Sequence, residues 1–184
     1  MSLNDNATLV INTGNFFTSE VGTAIPTDLL TIPIAWENIG HTSLEDIFSQ
    51  ESEGGDTTIL QTLQNKALRT KRTAKTDSFN VTVQQFDKPT LKLYHGSNAI
   101  ELSDGTLGVP TDPQPTVKAF LAVFYDGENV FALYAPKAEI LGTEPMSFAD
   151  TESLAGLTLK ITPVVNGTNK HAYAVTPLGA VDAG

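Results

Sequence analysis

The sequence contains no cysteine and is poor in charged residues. Without cysteine, the 184-residue chain has no disulfide framework, thiolate zinc site or catalytic thiol. Charged residues make up 17% of the chain and aromatic residues 8%, whereas globular proteins contain about 25% charged residues. The fold must therefore be stabilised by packing, and uncharged polar side chains must cover much of its surface.

Positive charge is scarcer than negative charge. Eleven Lys and Arg stand against 21 Asp and Glu, which gives a net charge of −10. Proteins bind nucleic-acid phosphates and anionic membranes through clustered cations, so this chain is poorly suited to either. The most apolar stretch, residues 117–135, contains Lys118, Asp126 and Glu128 and cannot span a bilayer. The first residues do not resemble a signal peptide, so we expect synthesis and retention in a cytoplasm-like compartment, without membrane insertion.

Alternation of apolar and polar residues is the dominant pattern. Residues 76–84 place Phe79, Val81 and Val83 on one face and polar residues on the other, and residues 157–162 alternate in the same way. A period of two is typical of strands with one buried face. Further strands are predicted at residues 9–11 and 31–36. Pro33 lies inside the second of these, which favours an edge position or the start of a strand.

Two dipeptides with high turn propensity predict hairpins. They are Asp126-Gly127 and Asn166-Gly167, because Asx-Gly between two strand-like runs favours a tight turn. The flanking runs are residues 117–125 and 129–134 for the first turn, and residues 157–165 and 170–175 for the second.

Helical signal is sparse. Residues 87–94 begin with Asp before a proline-containing first turn, and Gly96 follows their end, which predicts one short capped helix. Residues 150–155 are a candidate for another helical turn. Together these patterns predict a single, mainly β domain over residues 1–184, a sandwich or barrel with one flanking helix.

Residues 40–75 do not fit this pattern. They contain Gly54-Gly55, much Ser and Thr and little alternation, which predicts a long loop. Such loops are uncommon in compact domains and usually have a function. The first 65 residues contain nine Asp or Glu and no Lys or Arg, whereas residues 66–75 contain five of the eleven cations. Either this basic run is solvated, or it contacts the acidic part of another copy, head to tail.

No pattern of catalytic, cofactor-binding or metal-binding residues is present. The three histidines, His41, His95 and His171, have no metal-ligand spacing, and there is no nucleophile elbow or phosphate-binding loop. The carboxylates at 45–46 and 51/53 could in principle act as acid and base, but solvated or interface roles are favoured. The sequence therefore predicts a protein that is not an enzyme and has no cofactor.

Several segments together resemble the major tail tube proteins of long, non-contractile-tailed bacteriophages (siphoviruses), especially those infecting actinobacteria. The resemblance is densest over residues 2–96 and continues more weakly at 157–163. The segments are SLND at 2–5, GNFFT at 14–18, WENIGHTSLEDI at 36–47, SEGG at 52–55, QNKALRT at 64–70 and LTLKITP at 157–163. No segment is a chemical signature by itself, so their order and extent carry the resemblance.

The resemblance implies a sandwich-like tail tube fold and a structural role in the virion. Six copies would close into a homohexameric ring, and rings would stack into a tube assembled in the bacterial host cytoplasm. The lumen would hold the tape-measure protein and later conduct viral DNA without binding it specifically. Tail terminator and distal tail proteins would contact the tube ends. We expect no additional C-terminal immunoglobulin-like domain, which some members of this family carry.

The long loop at 40–75 corresponds in position to the arm between rings in this family. We expect it to be mobile in the free subunit and to order against the next ring, burying its apolar residues while its cations meet carboxylates of a neighbour. The residues expected in these contacts are Ile47, Phe48, Ile59, Leu60, Leu63, Leu68, Arg69, Lys71 and Arg72. The alternative function is a carbohydrate- or peptide-binding β-sandwich module, with Trp36 and Tyr94 as stacking aromatics.

Overall fold

A computed structural model describes residues 3–4, 7–146, 148, 151–167 and 169–180. Their regular structure is almost entirely β. The elements are β1 (Thr13–Ser19), β2 (Glu37–Asn38), β3 (Ser49–Gly54), β4 (Thr57–Leu60), β5 (Arg69–Arg72), β6 (Lys75–Val83), α1 (Lys88–His95), β7 (Ile100–Glu101), β8 (Leu107–Gly108), β9 (Thr116–Asp126), β10 (Asn129–Gly142), β11 (Leu157–Pro163), β12 (Ala174–Val175) and β13 (Gly179–Ala180). No helix in these ranges has the length and apolarity needed to cross a membrane.

Within the described ranges, nine strands form one antiparallel sheet centred on β10. Its order is β2-β1-β9-β10-β11-β6-β3, and β12 and β13 also pair with β10. One side of β10 pairs with β9, whereas the other side pairs in turn with β13, β12 and β11. The register with β9 shifts between Ala135 and Ala138, and such irregularities bend a strand and increase its twist. Two small ladders, β4–β5 and β7–β8, lie outside this sheet.

The sheet curls around the main hydrophobic core. Phe16 of β1 and Phe124 of β9 belong to the same buried cluster as Phe79 of β6 and Leu159 of β11, although these strands are separated in the sheet order. Phe48 joins the two sides, with its ring centroid 6.0 Å from that of Phe16 and 5.2 Å from that of Phe79. Because β2 and β3 remain as edges, the sheet does not close into a barrel, and the fold is sandwich-like. The prediction of a mainly β fold is confirmed.

A second core covers the opposite face of β1 and β9. Phe17, Leu121 and Val123 pack there with Trp36. Residues 20–36 cover this cluster and are held to the sheet by the phenol of Tyr134, which donates to the carbonyl of Thr23 at 2.7 Å. Burial of both faces explains why residues 117–125 form an almost continuous apolar run instead of alternating.

Helix α1 packs on the main core and has the ends that its sequence predicts. Asp87 caps its N-terminus, because its carboxylate accepts a hydrogen bond from the backbone N–H of Thr90 at 3.1 Å. Hydrogen bonds from Thr90 lower the pKa of this carboxyl. Gly96 ends the helix with φ +99°, and a Cβ there would lie 2.5 Å from the carbonyl oxygen of Gln114. Tyr94 is buried against the core.

The alternation at 76–84 and 157–162 correctly predicted β6 and β11. The first predicted hairpin is also confirmed, and it consists of β9 and β10. Its turn is displaced by one residue, because Asp126 and Asn129 form the last pair of the ladder. Gly127 and Glu128 therefore make the turn, with Gly127 at φ +59°. Glycine with positive φ at the first central position is typical of a type II′ turn.

The second predicted hairpin is wrong. Residues 174–175 form β12, which pairs with β10 through Leu133 and Tyr134 instead of returning along β11. The reason is that β11 has no free edge, since β10 pairs with one side of it and β6 with the other.

The strands predicted at 9–11 and 31–36 are also wrong. The ladder between β1 and β9 begins only at Thr13, opposite Tyr125, because β9 ends at Asp126 and leaves residues 9–11 without a strand partner. Pro33 begins a turn, in which its carbonyl accepts from the N–H of Trp36 at 2.9 Å. The helical turn proposed at 150–155 is not present at residues 151–155, and Asp150 lies outside the described residues.

Candidate assembly surface

A two-stranded ribbon extends from the edge of the sheet. Strand β3 pairs with β6 from Ser49 opposite Asn80 to Gly54 opposite Lys75. The N–H of Gly55 then donates to the carbonyl of Ala74 at 3.1 Å, and the β4–β5 ladder continues the pairing. Residues 49–60 and 69–80 therefore form one ribbon. We call its outer part, residues 57–72, the arm hairpin.

The prediction of a structureless loop at 40–75 is thus wrong, although the region does protrude. Every residue of β3, β4 and β5 is exposed. Alternation of apolar and polar residues arises when one face of a strand is buried, and a protruding ribbon has no buried face. The strands of the arm consequently leave no period-two signal in the sequence.

Two glycines join the arm hairpin to the sheet. Gly54 and Gly55 have φ of +80° and +77°, a region that other residues rarely adopt. A Cβ on Gly54 would also overlap the carbonyl oxygen of Ala74 on the facing strand. The sequence Gly54-Gly55 therefore marks the place where the β3–β6 ladder ends and the β4–β5 ladder follows, and not a segment without hydrogen bonds.

A polar cluster around Asp77 holds the base of the ribbon. The carboxylate of Asp77 accepts hydrogen bonds from the hydroxyl of Ser52 on β3 and from the phenol of Tyr173, the latter at 2.9 Å, and Lys75 lies 2.9 Å away. These partners, led by Ser52, lower the pKa of Asp77 to about 2. Tyr173 also packs edge-on against Phe79, so the cluster connects the ribbon to the main core. The sequence carries no local signal of this arrangement.

Local hydrogen bonds close the tip of the arm hairpin. The N–H of Thr62 donates to the carbonyl of Asn65 at 2.8 Å, and the N–H of Leu68 donates to that of Leu60 at 3.2 Å. The side chain of Asn65 accepts from the N–H of Ala67 at 3.0 Å. The tip is therefore closed by hydrogen bonds within the arm hairpin itself.

The residues predicted to make contacts fall into two groups. Ile47 and Phe48 lie at the start of the ribbon, half-buried against the core of their own subunit. The other seven lie in the arm hairpin and are exposed, with Leu63 at the tip 93% exposed. The structure therefore does not bring the two groups together. A role of these nine residues in contacts between subunits stays a prediction.

The pairing within the arm hairpin separates its cations. Leu60 faces Arg69 and Thr58 faces Lys71, and because directly paired residues share one face, these four side chains lie on the same side. Arg72 lies on the other side, where its Nε donates to the carbonyl of Gly55 at 3.2 Å. Within the described ranges, Arg69 and Lys71 form no ion pair.

The residues considered for other functions do not form a site. Among the described residues, no group of three or more His, Asp or Glu side chains could hold a metal ion. Trp36 is only 5% exposed and Tyr94 only 9%, so neither can stack against a sugar ring or a peptide without rearrangement. The sugar- or peptide-binding alternative therefore loses the two residues on which it was based.

Comparison with known proteins agrees with the sequence resemblance. The sequence profile of the phage tail tube protein family matches residues 1–176. The chain is 33% identical over 175 residues to the major tail protein Gp23 of Mycobacterium phage D29, covering 88% of this chain and 87% of that protein. The major tail protein Gp23 of Mycobacterium phage L5 matches with the same identity and coverage. The chain therefore belongs to the phage tail tube protein family and is a structural component of the virion tail, not an enzyme.

Proposed function

We propose that six copies of this chain form a ring and that these rings stack into the tail tube of a siphovirus. The tube holds the tape-measure protein and conducts viral DNA during infection. The observation that carries this proposal, beside the family, is the arm. It is a defined ribbon that protrudes from the sheet and exposes apolar residues together with cations.

The arm hairpin has the properties of a contact element. Isolated two-stranded hairpins are only marginally stable in water, and monomeric proteins rarely expose clustered large apolar side chains. Ile59, Leu60, Leu63 and Leu68 are all at least 45% exposed. Exposed ion pairs contribute about 0–1 kcal/mol each, so apolar contacts supply most of the affinity and charges set the register. Repetition around six subunits strengthens an individually weak contact.

The edges of the sheet support assembly within a ring. In the part of the chain that the structure describes, β3 pairs only with β6, and β2 pairs with β1 only at Phe17 and Thr18. Unpaired strand edges promote association with other chains. A neighbouring subunit in the ring would cover these edges.

The charge of the chain suits a channel for DNA. A net charge of −10 gives a surface that repels phosphates, and repulsion acts over a Debye length of about 8 Å in physiological salt. DNA can then pass without specific binding. Tail terminator and distal tail proteins are the partners expected at the two ends of the tube.

Negative-stain electron microscopy of the purified protein at increasing concentration tests this proposal. We expect rings with six-fold symmetry and stacked tubes. Sedimentation velocity on the same samples should show a hexamer and larger species. A protein that remains monomeric at all concentrations, or that forms rings of another order, would contradict the proposal.

A further inference from the structure

A groove lies at the start of β3, at the opposite end of this strand from the arm hairpin. Its volume is about 530 Å³, and its walls combine apolar side chains with carboxylates. Ile11, Ile47 and Phe48 provide the apolar part, and Glu45, Asp46 and Glu144 are three of the carboxylates. We call this feature the acidic groove.

Three of the four carboxylates that line the acidic groove carry unopposed charge. Glu45, Asp46 and Glu144 are exposed, and in the described part of the chain none of them forms an ion pair. Glu51, which also lines the groove, differs because Lys160 lies 3.3 Å from it. The free negative charge is therefore concentrated near the loop before β3.

One face of the arm hairpin is complementary to this groove. Arg69 and Lys71 share that face with Leu60 and Thr58, so two unopposed cations stand beside an apolar side chain. The groove offers unopposed carboxylates beside Ile11, Ile47 and Phe48. Charge and apolar character match between the two surfaces.

The two surfaces do not meet within one subunit. The acidic groove adjoins Ser49 at one end of the β3–β6 ladder, and the arm hairpin begins beyond Gly54 at the other end. Five residue steps of extended strand separate these ends by roughly 17 Å. Each subunit therefore has two separate surfaces. The donor surface is the face of the arm hairpin that carries Leu60, Arg69 and Lys71, and the acceptor surface is the acidic groove.

We propose that the acidic groove of one subunit receives the Leu60, Arg69 and Lys71 face of the arm hairpin from a second copy. Because donor and acceptor are different surfaces, the contact is heterologous and repeats head to tail without closing on a pair. The inference rests on the proposed function, since it identifies the surface that receives the arm when rings stack.

Charge reversal tests the contact. We expect the donor variant, Arg69→Glu with Lys71→Glu, to raise the concentration needed for tube formation at least tenfold. The acceptor variant, Glu45→Lys with Asp46→Lys, should have the same effect. A chain carrying all four changes has an acidic hairpin, a basic groove and the net charge of the natural protein, and it should again form tubes.

Matched controls separate this contact from a general effect of charge. Lys137→Glu with Lys170→Glu changes the net charge as the donor variant does, and Glu20→Lys with Glu128→Lys matches the acceptor variant. Neither control should reproduce the tenfold change. The inference is overturned if the controls behave like the test variants, or if the four-fold variant does not recover.

Disulfide cross-linking tests the contact without requiring tubes. Because the natural chain has no cysteine, only the introduced cysteines can form a disulfide. One test chain carries Ser49→Cys in the acidic groove and Thr58→Cys on the face of the arm hairpin that also carries Leu60, Arg69 and Lys71. Under oxidation it should form disulfide-linked dimers and larger species. A chain with Ser49→Cys and Thr57→Cys, on the other face of the hairpin, should form at least tenfold fewer.

The combined results distinguish this inference from the proposed function. If the chain with Ser49→Cys and Thr58→Cys forms tubes but does not cross-link, the proposed function stands and the role of the acidic groove is contradicted. If the chain cross-links but forms no six-fold rings, the contact at the acidic groove stands and the proposal of hexameric rings is contradicted. Protein that forms neither tubes nor cross-links contradicts both.

Discussion

At the scale of single residues, Asp77 of β6 connects three parts of the chain. It accepts hydrogen bonds from Ser52 and Tyr173 and pairs with Lys75, so it joins β3, β6 and the C-terminal segment. Its pKa of about 2 shows that the folded protein favours the charged form. Protonation of this carboxyl therefore opposes folding.

The contribution of the Asp77 carboxylate to the free energy of unfolding should depend on pH. The folded pKa of Asp77 lies below the usual value of 3.8, so its contribution is complete above about pH 4 and is lost as pH falls towards 2. Relative to Asp77→Asn, the natural protein should gain up to about 2 kcal/mol of unfolding free energy between pH 2 and pH 4. Urea denaturation at several pH values measures this difference.

Ser52→Ala provides the companion variant, because Ser52 is the main cause of the lowered pKa. It should raise the pKa of Asp77 and shrink the gain in stability between pH 2 and pH 4. A constant difference between the natural protein and Asp77→Asn at every pH would show that the carboxylate is not stabilised by folding.

Gly142 is a second single residue on which packing depends, because it leaves space for the ring of Tyr94. A Cβ at this position would overlap the ring of Tyr94, which packs in the main core. We expect Gly142→Ala to lower the free energy of unfolding by about 1–3 kcal/mol, as overpacking does in other cores. Gly179→Ala is the control, because no atom of the described residues, apart from the neighbours of Gly179 in sequence, lies within 4 Å of the added Cβ. Equal stability of the two variants in thermal denaturation would contradict this interpretation.

At the scale of secondary-structure elements, the arm and the core are separable. The arm hairpin contributes no buried residue to either hydrophobic cluster, whereas Phe48, immediately before β3, stacks between Phe16 and Phe79. A deletion that begins before β3 would therefore damage the core. One confined to the hairpin would not.

Excision of the hairpin should abolish assembly without unfolding the subunit. Replacing residues 57–72 by an Asn-Gly turn is geometrically reasonable, because the N–H of Thr73 already donates to the carbonyl of Asp56 at 3.0 Å. We expect a melting temperature within a few degrees of that of the natural protein, and no tubes in negative stain. Tubes of normal appearance would show that the hairpin is only a surface feature.

The glycine joint of the arm should be required for assembly more than for stability. Gly54→Ala forces both an unfavourable φ and an overlap with Ala74, which redirects or unpairs the hairpin. Gly105→Ala is a matched control, since Gly105 has a similar φ of +85° but, among the described residues, no atom within 4 Å of the added Cβ. We expect reduced tube formation by electron microscopy for Gly54→Ala alone. Equal assembly of both variants would contradict a role for the joint.

At the scale of the whole molecule, charge is distributed unevenly. The sheet domain carries most of the acidic residues, whereas five of the eleven cations lie within residues 66–75. Lys75 is paired with Asp77, while Arg69 and Lys71 are exposed and have no ion-pair partner in the described part of the chain. The contrast between an acidic domain and a basic arm follows from this distribution.

The acidic surface should prevent retention of DNA. Electrophoretic mobility shift with duplex DNA at about 150 mM salt should detect no complex, because −10 charges per subunit oppose phosphate binding. The computed potential of a solved tube should be negative in the lumen. A positive lumen, or a stable complex with duplex DNA, would contradict the proposed passage of DNA.

The sequence alone determined the parts of the fold with a local physical cause. One-sided burial produced the alternation that identified β6 and β11. The cap at Asp87 and the turn at Gly96 identified α1, and Asp126-Gly127 identified the β9–β10 hairpin. The tail tube family was also evident from the order of several segments. The alternation, the cap and the turn each depend on residues close together in the chain, whereas the family resemblance depends on segments spread along it.

The tertiary structure decided the features that depend on distant partners. The pairing of β12 with β10 follows from the occupied edges of β11, which no local pattern encodes. The arm strands lack alternation because neither face is buried. The acidic groove brings together Ile11, Asp46 and Glu144, which are far apart in the sequence. Such arrangements arise only when the sheet curls, because long-range packing selects which strands and side chains become neighbours.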